Sequence, residues 1–156
     1  ITIREERFYN LVTKSYYPLT VDISLQNKKS TTTFTGGGFY TVNPSLHDIW
    51  VLDSLDGKKV QLENFPSGFP QLEFHLDGGR VMGFGGCNQL TGTFYAIENE
   101  IYFNPFATTI KMCEENNGEH AFLKALGKKR YMYQIENLHL RLTNQDGSVM
   151  IFRKVD

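Results

Sequence analysis

The sequence predicts a mainly β fold with one α-helix: a small antiparallel, barrel-like sheet packed by a single helix. Three observations carry this. Apolar residues recur at every second position in short runs, the pattern of strands half-buried against a core. Gly, Asn and Asp separate those runs closely enough for hairpins. One stretch, 119–126, leaves that period of two for a helical one.

In chain order, Val21, Ile23 and Leu25 alternate, Gln26-Asn27-Lys28-Lys29 reads as a turn, and the β-branched run from Ser30 to Phe34 pairs back as a hairpin. Gly36-Gly37-Gly38 is expected to break the ladder before Phe39-Tyr40-Thr41-Val42, and Asn43-Pro44 ends the region. Residues 1–45 are therefore read as an N-terminal extension with a β-hairpin. A segment of 45 residues folds poorly alone, so it is expected to pack on the domain formed by residues 46–156.

In that domain Leu72, Phe74 and Leu76 alternate, Asp77-Gly78-Gly79 turns the chain, and Val81 to Phe84 returns. Thr93 to Ile97 and Glu100 to Phe103 form a second hairpin across Glu98-Asn99. Tyr131, Tyr133 and Ile135 pass through Glu136-Asn137 to Leu138, Leu140 and Leu142. After the turn at 144–147, Val149 to Arg153 closes an antiparallel meander. The helix places Phe122 and Leu126 four apart, with Ala121 and Ala125 beside them. Asn116 or Asn117 is expected to cap its start, and Gly127 to supply a left-handed residue at its end. So short a helix is marginal in water, so its apolar stripe must pack on the sheet.

Composition narrows the function classes. The chain has 156 residues, 16 basic and 17 acidic, and a formal charge of −1. Neither sign gathers in a long block, which argues against the basic stripe that nucleic-acid binding needs. The one basic cluster, Lys128-Lys129-Arg130, reads as the solvated end of the helix, where cations meet the negative pole of the dipole. No apolar run approaches the roughly 20 residues of a membrane-spanning helix. The chain begins at Ile1 without an initiator Met, so an upstream segment is expected to have been removed.

Glycines cluster at Gly78, Gly79, Gly83, Gly85 and Gly86. A phosphate-cradling loop must open a helix, whereas strands flank these glycines, so they read as bends and close backbone crossings. The segment continues GFGGCNQLTGTFY from Gly83 and is followed by FATTIKMC ending at Cys113. These two cysteine-bearing segments, with Trp50-Val51-Leu52, Leu55 and Gly57 upstream and the strands from Tyr131 to Phe152 downstream, resemble the META domain family, which includes HslJ-like heat-shock-inducible bacterial proteins. Residues 1–45 lie outside the resemblance. Its signature positions are Trp50, Gly86, Cys87, Asn88, Gly92, Thr109 and Cys113. One departure is Ile110-Lys111-Met112, where relatives commonly carry Arg-Met-Ala between the Thr and the Cys; Lys111 offers a charge nearby.

The resemblance implies a barrel plugged by a helix and an exported protein, periplasmic or lipid-anchored at the outer membrane, with any anchor upstream. In such an oxidising compartment two cysteines invite a Cys87–Cys113 disulfide. Two buried unpaired thiols, or a reactive Cys113 near the helix start, are the alternatives. Asn88 can tie its amide to backbone at a bend, and Thr109 can hydrogen-bond a turn before the helix.

No residues point to catalysis. His47, His75, His120 and His139 lack the spacing of a metal pair, so neither metal nor cofactor is expected. His75 is out of phase with Phe74 and Leu76 and should face solvent. Glu114-Glu115 reads as the start of the helix, where negative charge is favoured. Tyr131 and Tyr133 share a strand face, while Tyr16-Tyr17 and Phe39-Tyr40 lie in the extension and would form an apolar or peptide-binding patch if left exposed. The expected function is a non-catalytic, monomeric envelope accessory protein that binds a protein, peptide or apolar ligand. A passive structural module is the alternative, and an enzyme comes third.

Overall fold

The computed structural model describes residues 1–38, 42–114, 117–127 and 130–155. The chain divides into two units, Ile1–Tyr40 and Thr41–Asp156. The first contains β1 (Thr2–Arg4), β2 (Phe8–Asn10), β3 (Ser15–Tyr17), β4 (Leu19–Gln26) and β5 (Thr31–Gly38). β1, β4 and β5 form an antiparallel sheet in that order, and β2 pairs with β3. The expected hairpin is β4–β5, with Ile23 opposite Phe34. Asn27 holds its turn by accepting the N–H groups of Lys29 and Ser30 on Oδ1.

The glycine triplet does not break this ladder. Gly36, Gly37 and Gly38 pair with Val21, Thr20 and Leu19, because the ring of Tyr17 lies on the backbone at Gly37, where any side chain would overlap it. The missing Cβ admits a covering ring. Phe39, Tyr40 and Thr41 lie outside the described residues.

The second unit contains β6 (Ile49–Leu55), β7 (Lys58–Lys59), β8 (Gln71–His75), β9 (Arg80–Phe84), β10 (Gln89–Ile97), β11 (Glu100–Phe103), β12 (Ala107–Thr108), α1 (Glu119–Leu126), β13 (Arg130–Glu136), β14 (His139–Thr143) and β15 (Val149–Lys154). Eight strands close into an antiparallel barrel in the order β6-β8-β9-β10-β11-β13-β14-β15 and back to β6. β7 adds to β6 and β12 to β10. Closure leaves no barrel strand with an unpaired edge along its whole length.

Alternation fills the interior. The register sets Trp50 against Leu72, Phe74 against Val81, Tyr133 against Leu142 and Leu140 against Phe152, all buried. The helix supplies Phe122 and Leu126, both fully buried, and Phe122 meets Phe152 edge to face at 6.4 Å. Each such side chain stabilises the folded state by roughly 1.5–3 kcal/mol, which holds a helix too short to persist alone. The Tyr131 hydroxyl donates to the Ala125 carbonyl at the end of α1, and burial pushes its pKa up. Among the described residues, no helix is long and apolar enough to cross a membrane.

The C-terminal end of α1 differs from expectation, while Asn117 hydrogen-bonds its start. Gly127 has φ −68°, so it is right-handed, and its N–H bonds back to Leu123 within the helical turn. Gly118 precedes the helix at its start, while Asn117 Oδ1 accepts the Glu119 N–H at 3.0 Å; Asn116 lies outside the described residues. Of the basic cluster expected at the helix end, Arg130 alone falls among the described residues. Arg130 opens β13 and pairs with Glu100 at 2.6 Å, which holds the Glu100 carboxyl below its ordinary range. Lys128 and Lys129 lie outside the described residues.

Candidate functional site

The turn between β9 and β10, the segment after β12 and the first residue of α1 meet at one end of the barrel. Gly85 N–H donates to the Asn88 carbonyl at 2.8 Å and closes a four-residue turn. Gly86 within it has φ +111°, a conformation for glycine, and a Cβ there would press on the ring of Phe65. A Cβ on Gly85 would stand 2.5 Å from Glu119 Oε1. Neither position accepts a side chain, which lets two elements crowd the turn from opposite directions.

Glu119 is the centre of the arrangement. Its side chain is buried, 6% exposed. Oε1 accepts the N–H of Asn88 at 2.6 Å and that of Cys87 at 3.2 Å, and Oε2 accepts Asn88 Nδ2 at 2.8 Å. Burying a carboxylate is costly unless donors surround it; here a turn with two inward N–H groups supplies them. The other side of the Asn88 amide reaches the opposite segment, with Oδ1 accepting Lys111 N–H at 2.7 Å and Thr109 Oγ1–H at 3.0 Å. Thr109 Oγ1 also accepts Gln89 N–H at 3.1 Å.

Cys87 and Cys113 are bonded to each other, and neither cysteine is free. The Cys113 sulphur lies 3.2 Å from Asn88 Nδ2 and 3.7 Å from Glu119 Oε2. Covalent bond, amide and carboxylate therefore fasten three segments at one point. The arrangement fixes the start of the helix to the barrel wall. Its polar groups spend their hydrogen bonds on one another and on backbone.

Of the signature residues, Cys87, Asn88, Thr109 and Cys113 come together here, with Gly86 in the turn. Trp50 lies in the core, its indole N–H on the Leu46 carbonyl at 3.1 Å. Gly92 lies in β10 beneath the Phe106 ring. Lys111 contributes its backbone N–H. Glu114 is exposed and Glu115 lies outside the described residues; the acidic residue that matters at the helix start is Glu119. Its signal was present in the sequence, because 119, 122 and 126 share one helical stripe and a charged residue on an apolar stripe needs buried partners.

The histidines divide. His120 and His139 are exposed. His47 and His75, 28 positions apart in sequence, meet edge to face at 5.7 Å, with His75 half-buried beside Glu73. Tyr131 and Tyr133 are both buried. Phe103, Phe106, Leu123 and Leu126 line an apolar groove of about 300 Å³ between the helix and the β11–β12 connection.

The META domain model matches residues 44–156. This chain belongs to the META domain family. Two solution structures share its fold, one from Burkholderia xenovorans at 22% identity and a TM-score of 0.55, covering 84% of this chain and 99% of that one. The other, at 20% identity and a TM-score of 0.55, covers 73% of this chain and 96% of its own. No curated protein matches the chain significantly. In this META protein the closed barrel, helix α1 and the Cys87–Cys113 bond all fall within the matched residues.

Proposed function

We propose that this META protein is a non-catalytic accessory protein of the bacterial cell envelope that binds a protein or peptide partner through the apolar face of its N-terminal sheet. One observation carries the reading. Alternation in β1, β4 and β5 puts Ile3, Val21, Ile23, Leu25 and Phe34 on one face and Arg4, Asp22, Ser24, Thr33 and Thr35 on the other. The polar face is internally bonded, with Asp22 accepting from Thr35 and Arg4. On the apolar face Ile3, Leu25 and Phe34 are 57–60% exposed. A contiguous apolar patch of this kind marks an interaction surface. Among the described residues the polar groups of Glu119 and Asn88 are bonded to each other and to neighbouring backbone and Thr109, which favours a scaffold there over a reacting centre. The Cys87–Cys113 bond supports an oxidising compartment such as the envelope.

The test is capture from envelope extract with the full chain and with an Ile23→Lys/Phe34→Lys variant. A partner held by the native chain and lost by the variant supports the reading; equal retention by both, or none by either, overturns it. A second reading, an apolar ligand on the barrel, is favoured by the groove at Phe103, Phe106 and Leu123. Leu123→Arg would abolish that binding and leave capture unchanged.

A further inference from the structure

Cys87, Cys113 and Glu119 each offer a ligand atom, and these atoms lie within 4.8 Å of one another. We propose that reduction of the Cys87–Cys113 bond converts this clasp into a zinc site, with the two thiolates and Glu119 Oε2 as ligands and solvent in the fourth position.

The distances fit a tetrahedral ion. Zinc bonds sulphur at about 2.3 Å and carboxylate oxygen at about 2.0–2.2 Å, so a sulphur–oxygen edge of the tetrahedron is roughly 3.6 Å long. Cys113 Sγ and Glu119 Oε2 stand 3.7 Å apart. A sulphur–sulphur edge is roughly 3.8 Å by the same geometry, so the two sulphurs must separate after reduction. Cys113 can allow this, because among the described residues 109–114 that follow β12 it belongs to no strand.

The surroundings suit thiolates. Asn88 Nδ2 already points at the Cys113 sulphur from 3.2 Å and also donates to Glu119 Oε2. One amide thus orients two prospective ligands, the task of outer-shell partners in metal sites. Cys113 is half-buried, which leaves a path for reductant and ion. The chemistry balances: a dithiol reductant gives two electrons and two protons to the disulfide and becomes a disulfide itself, and zinc then displaces the two protons from the new thiols. While the sulphurs are bonded to each other they carry no charge and cannot hold the ion. The site is therefore gated by redox state.

The full chain, reduced with a non-chelating phosphine, is titrated with zinc against a chromophoric chelator, and with cobalt as a spectroscopic probe. The expected result is one zinc per reduced chain, none in the oxidised chain, and cobalt spectra carrying thiolate charge-transfer bands. Glu119→Gln weakens binding at least about tenfold, the loss that even outer-shell partners incur, and Cys113→Ser abolishes it. Cobalt binding to the native chain reports the ligands even if a variant fails to fold. Equal affinity in both redox states, bands without thiolate character, or a reduced chain that is unfolded and stays so with zinc overturns the proposal.

Discussion

Asn88 and Glu119, 31 residues apart, are joined by two hydrogen bonds, from the backbone N–H of Asn88 at 2.6 Å and from its side-chain amide at 2.8 Å. The Asn88 amide cannot turn over, because its oxygen already accepts from Thr109 and Lys111. In Glu119→Gln one amide must therefore point N–H groups at another. The expected cost is about 1–3 kcal/mol, read from urea unfolding by the fluorescence of Trp50, the only tryptophan. Glu119→Ala strands three donors and costs more. Unchanged stability in both variants would remove Glu119 from the clasp.

Replacing both Cys87 and Cys113 by Ser opens a loop whose ends are 26 positions apart. The chain-entropy model gives a loss of about 3.5 kcal/mol. The folded circular-dichroism spectrum should persist, because the barrel core does not include either cysteine. Thermal unfolding of the double variant checks both statements.

Gly86→Ala meets two obstacles at once, a φ of +111° and the Phe65 ring. Strained backbone of this kind costs about 1–3 kcal/mol. Phe65 is itself buried, so Phe65→Ala destabilises in its own right, and the two changes are read as a double-mutant cycle. Gly86→Ala should cost less in the Phe65→Ala background than in the native chain, yet still cost something. A Gly86→Ala cost of zero in that background would show that backbone conformation contributes nothing.

Lys154 bonds the Asp48 carboxylate at 2.8 Å and links the end of β15 to the residue before β6. That hydrogen bond from Lys154 is the main cause holding the Asp48 pKa below its ordinary value. A depressed folded-state pKa contributes stability that is present above the unfolded value of about 3.9 and lost as pH falls through the folded value. Stability should therefore decline on acidification below about pH 4, and Asp48→Asn should flatten part of that decline. Parallel curves for the two proteins would contradict the assignment.

The barrel strands were legible because alternation such as Leu72-Phe74 or Leu140-Leu142 follows directly from a one-sided core. Closure was only implied, since the β11–β13 pairing joins residues 30 apart with a helix between them. The short strands β1 to β3 escaped because three residues carry too little period to detect. Gly36-Gly37-Gly38 misled, since the Tyr17 ring that makes glycine necessary comes from another strand. At the clasp, family likeness marked Cys87, Asn88, Thr109 and Cys113. It passed over Glu119, whose meaning depends on two backbone N–H groups presented by a distant turn.

The clasp of Cys87, Asn88 and Glu119 fastens α1 to the barrel. Amide hydrogen exchange of the native chain and Glu119→Ala tests it residue by residue. Protection should fall across Phe122 to Leu126 while Leu72, Phe74, Leu140 and Leu142 keep theirs. Equal losses in helix and barrel, or none in the helix, would contradict the claim.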